Sequence, residues 1–212
     1  MNRPGLCRAA GRPKAALDRR APRPLAAALV LAAMLAACGG SNPIDNPADI
    51  DNPPGAAGQK LSFADFQRCI NPIFLKRLQI KQNDTVSTNT CAASGCHDNA
   101  SGTGGALRLI PGATAVDAAA APDAIRASDM YRNFYSAQGS TVPGSADQSR
   151  LLSKPLLNGV LHGGGLIFES ADDPNAKLIR HWLEHPAPDG RDEFSAVASI
   201  PYDPATGACT VP

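Results

Sequence analysis

Cys91-Ala92-Ala93-Ser94-Gly95-Cys96-His97 is the stretch around which the rest of the chain has to be organised. Four residues separate two thiols, and an imidazole follows the second directly. Covalent haem attachment needs this set: two sulfurs for the two vinyl groups and a nitrogen presented to the iron. The usual spacing is C-x-x-C-H; here the loop is two residues longer. Gly95, free to take positive φ, and three small neighbours let that longer loop bulge away from a ring. Two other uses of the residues stay open. Cys91 and Cys96 can close a local disulfide with His97 incidental, or the three side chains can serve zinc, although three ligands within seven residues leave no second Cys/His pair to complete a tetrahedron.

Upstream, Ser62 caps a predicted helix whose apolar positions Phe63, Phe66, Ile70, Ile73, Phe74 and Leu78 recur every three or four residues, with Pro72 expected to kink or split it. Residues 81–90 read as a polar loop delivering the chain to Cys91. Downstream, a Gly-rich stretch leads to Leu107-Arg108-Leu109-Ile110 and a Pro111-Gly112 turn. Residues 122–136 read as a helix with proline in its first turn and Ile125, Met130, Tyr131 and Phe134 on one face. A shorter helix is expected at 149–157, then a loop through His162-Gly163-Gly164-Gly165. The last helix starts after Asp172-Asp173-Pro174 and carries Leu178, Ile179, Trp182 and Leu183. No run alternates long enough to predict a strand. The expected fold is mainly α, helical, with Gly/Pro-rich loops around one haem.

The 212-residue chain begins with a basic segment, Arg3 to Arg23, followed by an uncharged apolar run, Leu25 to Ala37. That is the pattern of a secretory signal peptide, and the run is shorter than the roughly 20 residues a membrane span needs. Leu35-Ala36-Ala37-Cys38-Gly39 resembles a bacterial lipobox, which makes Cys38 a lipid attachment point and 1–37 a lipoprotein signal peptide. Gly39 is not the aspartate associated with inner-membrane retention, which leans the expectation towards the outer membrane. Residues 38–60, repeating Asn-Pro and Asp-Asn, read as a flexible tether, and 61–212 as the single folded domain. Cleavage removes seven of the twenty basic and one of the nineteen acidic residues, leaving a net charge of −5. Such a balance carries no electrostatic footprint for nucleic acid.

Asn71-Pro72-Ile73-Phe74, the Cys91–His97 stretch and Gly104-Gly105-Ala106-Leu107-Arg108-Leu109 together resemble the planctomycete-type cytochrome C domains, members of the c-type cytochrome superfamily. Ser149-Arg150-Leu151-Leu152, His162-Gly163-Gly164-Gly165 and Leu178-Ile179-Arg180-His181-Trp182-Leu183 extend the resemblance, which covers about residues 63 to 187. It implies a cytochrome c-like helical domain carrying one covalent haem c on Cys91, Cys96 and His97.

The iron's second axial ligand is then sought among His162, His181, His185 and Met130. His162 is the candidate, because it precedes three glycines that let a flat ring approach the backbone and stands where the family pattern has its "H-G-G-G". Met130 is the alternative, its helical face suggesting a core residue. His181 and His185 read as helix residues near a C-terminus. With haem on the other two cysteines, Cys69 and Cys209 are left to pair in an oxidising compartment. The expected function is a membrane-anchored monohaem electron carrier of the cell envelope, exchanging electrons with redox partner proteins. The alternatives are a haem-based enzyme or sensor with an open distal site, and a disulfide-braced binding or structural module without haem. No convergent acid-base set points to catalysis.

Overall fold

Pro72 sets the shape of the first helical segment. In the computed structural model, which describes residues 59–188, 190–194 and 197–211, α1 (Phe63–Asp65), a π-helical turn (Phe66–Ile70) and α2 (Asn71–Leu75) follow one another without a break. Proline has no N–H to donate and its ring crowds the carbonyl four residues back, so the ladder widens here to i→i+5, with the Asn71 N–H reaching the Phe66 carbonyl. Ser62 caps the start by accepting the Asp65 N–H at 3.2 Å. The widened segment buries Phe66, Cys69 and Ile70.

The segment read as a polar loop is instead a β-hairpin. β1 (Leu78–Gln82) pairs antiparallel with β2 (Thr85–Asn89), Leu78 opposite Asn89 and Ile80 opposite Ser87. Asn83-Asp84 forms the two-residue turn, Asn83 taking φ +52°, as hairpin turns of this length require. The remaining elements are α3 (Pro122–Arg126), α4 (Asp129–Gln138), α5 (Arg150–Ser153), α6 (Pro174–Glu184) and a small hairpin of β3 (Tyr202–Asp203) with β4 (Ala208–Cys209). The helix expected at 122–136 is thus two helices, because Ser128 turns to cap α4 by accepting the Tyr131 N–H. The helix expected at 149–157 ends at Ser153, just before Pro155.

The expectation of a mainly α, cytochrome c-like helical fold does not hold. Among the described residues helix accounts for 29 % and strand for 11 %, and the helices are short because Pro and Gly interrupt them at close intervals. Phe63, Phe66, Phe134 and Trp182 form the centre of the core, with ring centroids 5.3–5.6 Å apart for the Phe63–Phe134, Phe66–Phe134 and Phe66–Trp182 pairs. The Trp182 indole N–H donates to the Ser62 carbonyl at 2.9 Å, joining α6 to the start of α1.

Two polar devices hold the loops to this core. Buried Asn133 on α4 accepts the Ile110 N–H at 2.7 Å, and donates to the Ile110 carbonyl and to Asn71 Oδ1. Buried Asp65 accepts the N–H groups of Ser199 and Ile200 at 2.9 and 3.2 Å, fastening the C-terminal segment. That segment is fastened again by a disulfide between Cys69 and Cys209, the pairing expected from the sequence. Among the described residues no helix is long and apolar enough to cross a membrane. The expected signal peptide, Cys38 and most of the expected tether lie outside the described residues.

Candidate haem pocket

The 91–97 stretch folds into a closed turn despite its extra length. Ala92 is buried, its N–H donating to the Phe74 carbonyl at the end of α2. The Cys96 N–H then reaches the Ala93 carbonyl at 3.0 Å, and the His97 N–H returns to the Cys91 carbonyl at 2.9 Å. Gly95 takes φ +81° at the top of this turn, and the Thr103 hydroxyl holds its carbonyl at 2.7 Å. Asp98 closes the next turn by accepting the N–H groups of Ala100 and Ser101. The backbone N–H and then the hydroxyl of Ser101 hold its carboxyl below the usual range.

His97 is fixed from both directions. Its Nδ1 lies 3.1 Å from the Leu107 carbonyl, which assigns the N–H to Nδ1 and leaves Nε2 with its lone pair. A side chain at Gly104 would meet the ring at 2.5 Å, so only glycine admits the imidazole there. Burial lowers the pKa of His97, against the pull of the Leu107 carbonyl, and His162, Lys154 and Arg108 lower it further. The ring is therefore neutral at neutral pH, the state a metal ligand needs.

His162 stands opposite. The two ring centroids are 6.2 Å apart and the ring planes differ by 12°. His162 Nδ1 lies 2.8 Å from the Gly165 carbonyl, which again leaves Nε2 as the free nitrogen. The 162–165 loop is held by β1: Lys81 and Leu166 exchange both backbone hydrogen bonds at 2.8–2.9 Å, and the Gln82 amide donates to the Gly163 carbonyl at 3.1 Å. Gly165, at φ +78°, lies so close to β1 that a Cβ there would sit 2.5 Å from the Lys81 carbonyl.

Between the two imidazoles opens a cavity of about 540 Å³, within the range of small-molecule and cofactor sites. Cys91, Cys96, His97 and His162 all line it. The hairpin supplies one wall with alternate residues, Leu78, Ile80 and Gln82 from β1 and Ser87 and Asn89 from β2, as strand geometry dictates. Apolar Phe74, Leu107, Leu151 and Phe168 make much of the rest. Cys91 and Cys96 are both free, so the local disulfide is not formed. Burial, with the neighbouring Cys96, pushes the Cys91 thiol up to about 11, and it stays protonated at neutral pH.

These donors suit haem better than a bare metal ion. Among the described residues no group of three or more His, Cys, Asp or Glu converges on a point, which leaves zinc without a ligand set. For an iron between two imidazoles, two metal–nitrogen bonds of roughly 2 Å and about 1.2 Å from each nitrogen to its ring centre add to about 6.4 Å, close to the observed separation. Met130 does not reach this place. It is buried in the core and absent from the cavity lining. His181 and His185 stack on each other with centroids 3.8 Å apart, and neither lines the cavity.

Sequence reasoning missed the hairpin wall and Lys154, which also lines the cavity. The alternation of Leu78 and Ile80 before Asn83-Asp84, with β-branched Thr85, Val86 and Thr88 after it, is the signal that identifies the hairpin. Comparison with protein-family models, curated proteins and solved structures returns no match.

Proposed function

We propose that this chain is a monohaem c-type electron-transfer protein of the cell envelope. The observation that carries the reading is the pair of near-parallel imidazoles, 6.2 Å apart across one cavity, with the two free thiols of the C-x4-C-H stretch in the same lining. Cys91 and Cys96 would hold a haem through thioether links, and His97 and His162 would offer their free nitrogens to its iron. When bound, the haem supplies an iron that takes up and releases one electron.

The protein's own contribution is to fix these ligands. Leu107 and Gly165 carbonyls orient the two imidazoles, β1 holds the distal loop, and the apolar wall excludes water. Ligand geometry that barely changes between oxidation states keeps the cost of electron transfer low. Two imidazoles in place favour a carrier over a peroxidase or sensor, which requires an open iron face. The signal-peptide pattern of residues 1–37 and the lipobox-like context of Cys38 support a carrier held on a membrane through a lipid anchor, facing the periplasm, with the outer membrane favoured. Its partners are other redox proteins of the envelope.

The test is the visible and electron paramagnetic resonance spectrum of the protein matured with haem. Low-spin iron in both oxidation states, turning high-spin in His162→Ala, is expected. High-spin iron in the wild type, or no change in the variant, contradicts the assignment of His162.

A further inference from the structure

Among the described residues Lys154 is the one fixed charge in the cavity lining, and no carboxylate lines the cavity. It sits at the C-terminal end of α5, its N–H bonded to the Arg150 carbonyl at 3.2 Å, and is half-buried. Among the described residues it has no ion-pair partner, whereas Lys81, Lys177, Arg126 and Arg180 are each paired. A half-buried ammonium facing an apolar wall attracts a counter-charge, and a ligand in the cavity is placed to supply one.

A haem carries two propionate carboxylates. Besides the thiols and imidazoles already described, the other polar side chains in the lining are neutral amides and hydroxyls, Gln82, Ser87, Asn89, Thr90 and Thr103, so within the lining Lys154 is the cation, Arg108 acting on His97 from outside it. We infer that Lys154 is a cofactor-positioning residue, pairing with a propionate of the bound haem and biasing the iron towards its reduced state. This rests on the haem reading above. One positive charge beside the site favours the ferrous form because reduction lowers the positive charge on the metal. In the couple tested, ferric iron gains one electron from an electrode through mediators, and no bond in the protein changes.

The experiment is spectroelectrochemical titration of matured wild type, Lys154→Met, Lys154→Gln, Lys154→Arg and, as a control for general surface charge, Lys177→Met. At a fixed potential the ferrous-to-ferric ratio should fall about threefold to tenfold in the Met and Gln variants, from loss of one nearby unit charge. The Arg variant should stay within about twofold of wild type, since it keeps the charge, and Lys177→Met should not move. A second readout needs no variant: wild-type apoprotein should bind ferric haem about tenfold more tightly than the haem dimethyl ester, which lacks the carboxylates. Unchanged ratios in both the Met and the Gln variant of Lys154, an equal shift in Lys177→Met, or equal affinity for acid and ester each overturns the inference. Protein that takes up no haem fails at an earlier and separate point, and sinks the haem reading itself.

Discussion

Gly165→Ala is the sharpest perturbation of the distal side. A Cβ at this position would sit 2.5 Å from the Lys81 carbonyl and 3.1 Å from Gln82 Cβ, and the residue takes φ +78°. Left-handed backbone costs an L-residue roughly 1–2 kcal/mol, and overpacking against a fixed strand costs roughly 1–3 kcal/mol more. Together they amount to about 2–5 kcal/mol, or a fall in Tm of about 4–20 °C at the roughly 2–4 °C per kcal/mol of a domain this size. Relief comes by moving the 162–165 loop off β1, which takes His162 away from His97. Gly163→Ala is the matched control, because its Cβ would meet nothing within 4 Å and the change should stay within about 0.5 kcal/mol. Thermal melts of both variants, followed in the haem-loaded protein by the low-spin fraction, test this. Wild-type stability and spin state in Gly165→Ala, or equal damage in Gly163→Ala, refutes the view that β1 positions the distal histidine.

Asp65→Ala should cost about 2–4 kcal/mol in urea unfolding, since it leaves the buried N–H groups of Ser199 and Ile200 without an acceptor; a loss under 1 kcal/mol argues against that fastening. Cys69→Ser with Cys209→Ser opens a loop of sequence separation 140, worth up to about 5 kcal/mol in the chain-entropy model. Equal urea midpoints for the two proteins contradict that contribution. Glu193 tests acid stability. Burial alone would raise its pKa, but its own N–H, the Tyr131 hydroxyl and the Arg126 guanidinium hold it below the ordinary value. A depressed folded pKa gives stability that is present above the unfolded pKa and is lost as pH falls through the folded one. Glu193→Gln should therefore lose stability at pH 7 and little at pH 3, and an equal loss at both pH values refutes the linkage.

Local spacing made some of this legible in the sequence. Ser62, Asp173 and the run Leu178, Ile179, Trp182, Leu183 marked helix starts and a buried face, because capping and a 3.6-residue period act within a few residues. Cys69 and Cys209 were legible as a pair only after the other thiols had been given a use. The hairpin is not legible, because its outward positions Gln79, Lys81 and Thr88 are polar, Val86 alone among them being apolar, and its cavity-facing ones are mixed, so the run looks like a loop. The π-helical turn depends on how Pro72 is accommodated by the packing of Phe66 and Cys69, which no periodicity encodes. His162 is legible from its glycines, yet only Gly165 among them is required by the approach of β1, far earlier in the chain. Lys154 carried no signal at all, since one lysine after a short helix is unremarkable until the cavity around it is seen to hold no other charge.

The central claim is that Cys91 and Cys96 bind haem covalently with His97 as ligand, and the most direct measurement is the denatured mass and pyridine haemochrome spectrum of protein made with and without a cytochrome c maturation system. The account predicts one haem added to the mass only when maturation operates, carried on the peptide containing residues 91–97, and absent from Cys91→Ala with Cys96→Ala. Colourless protein of unmodified mass, beside a control cytochrome that matures normally, contradicts it.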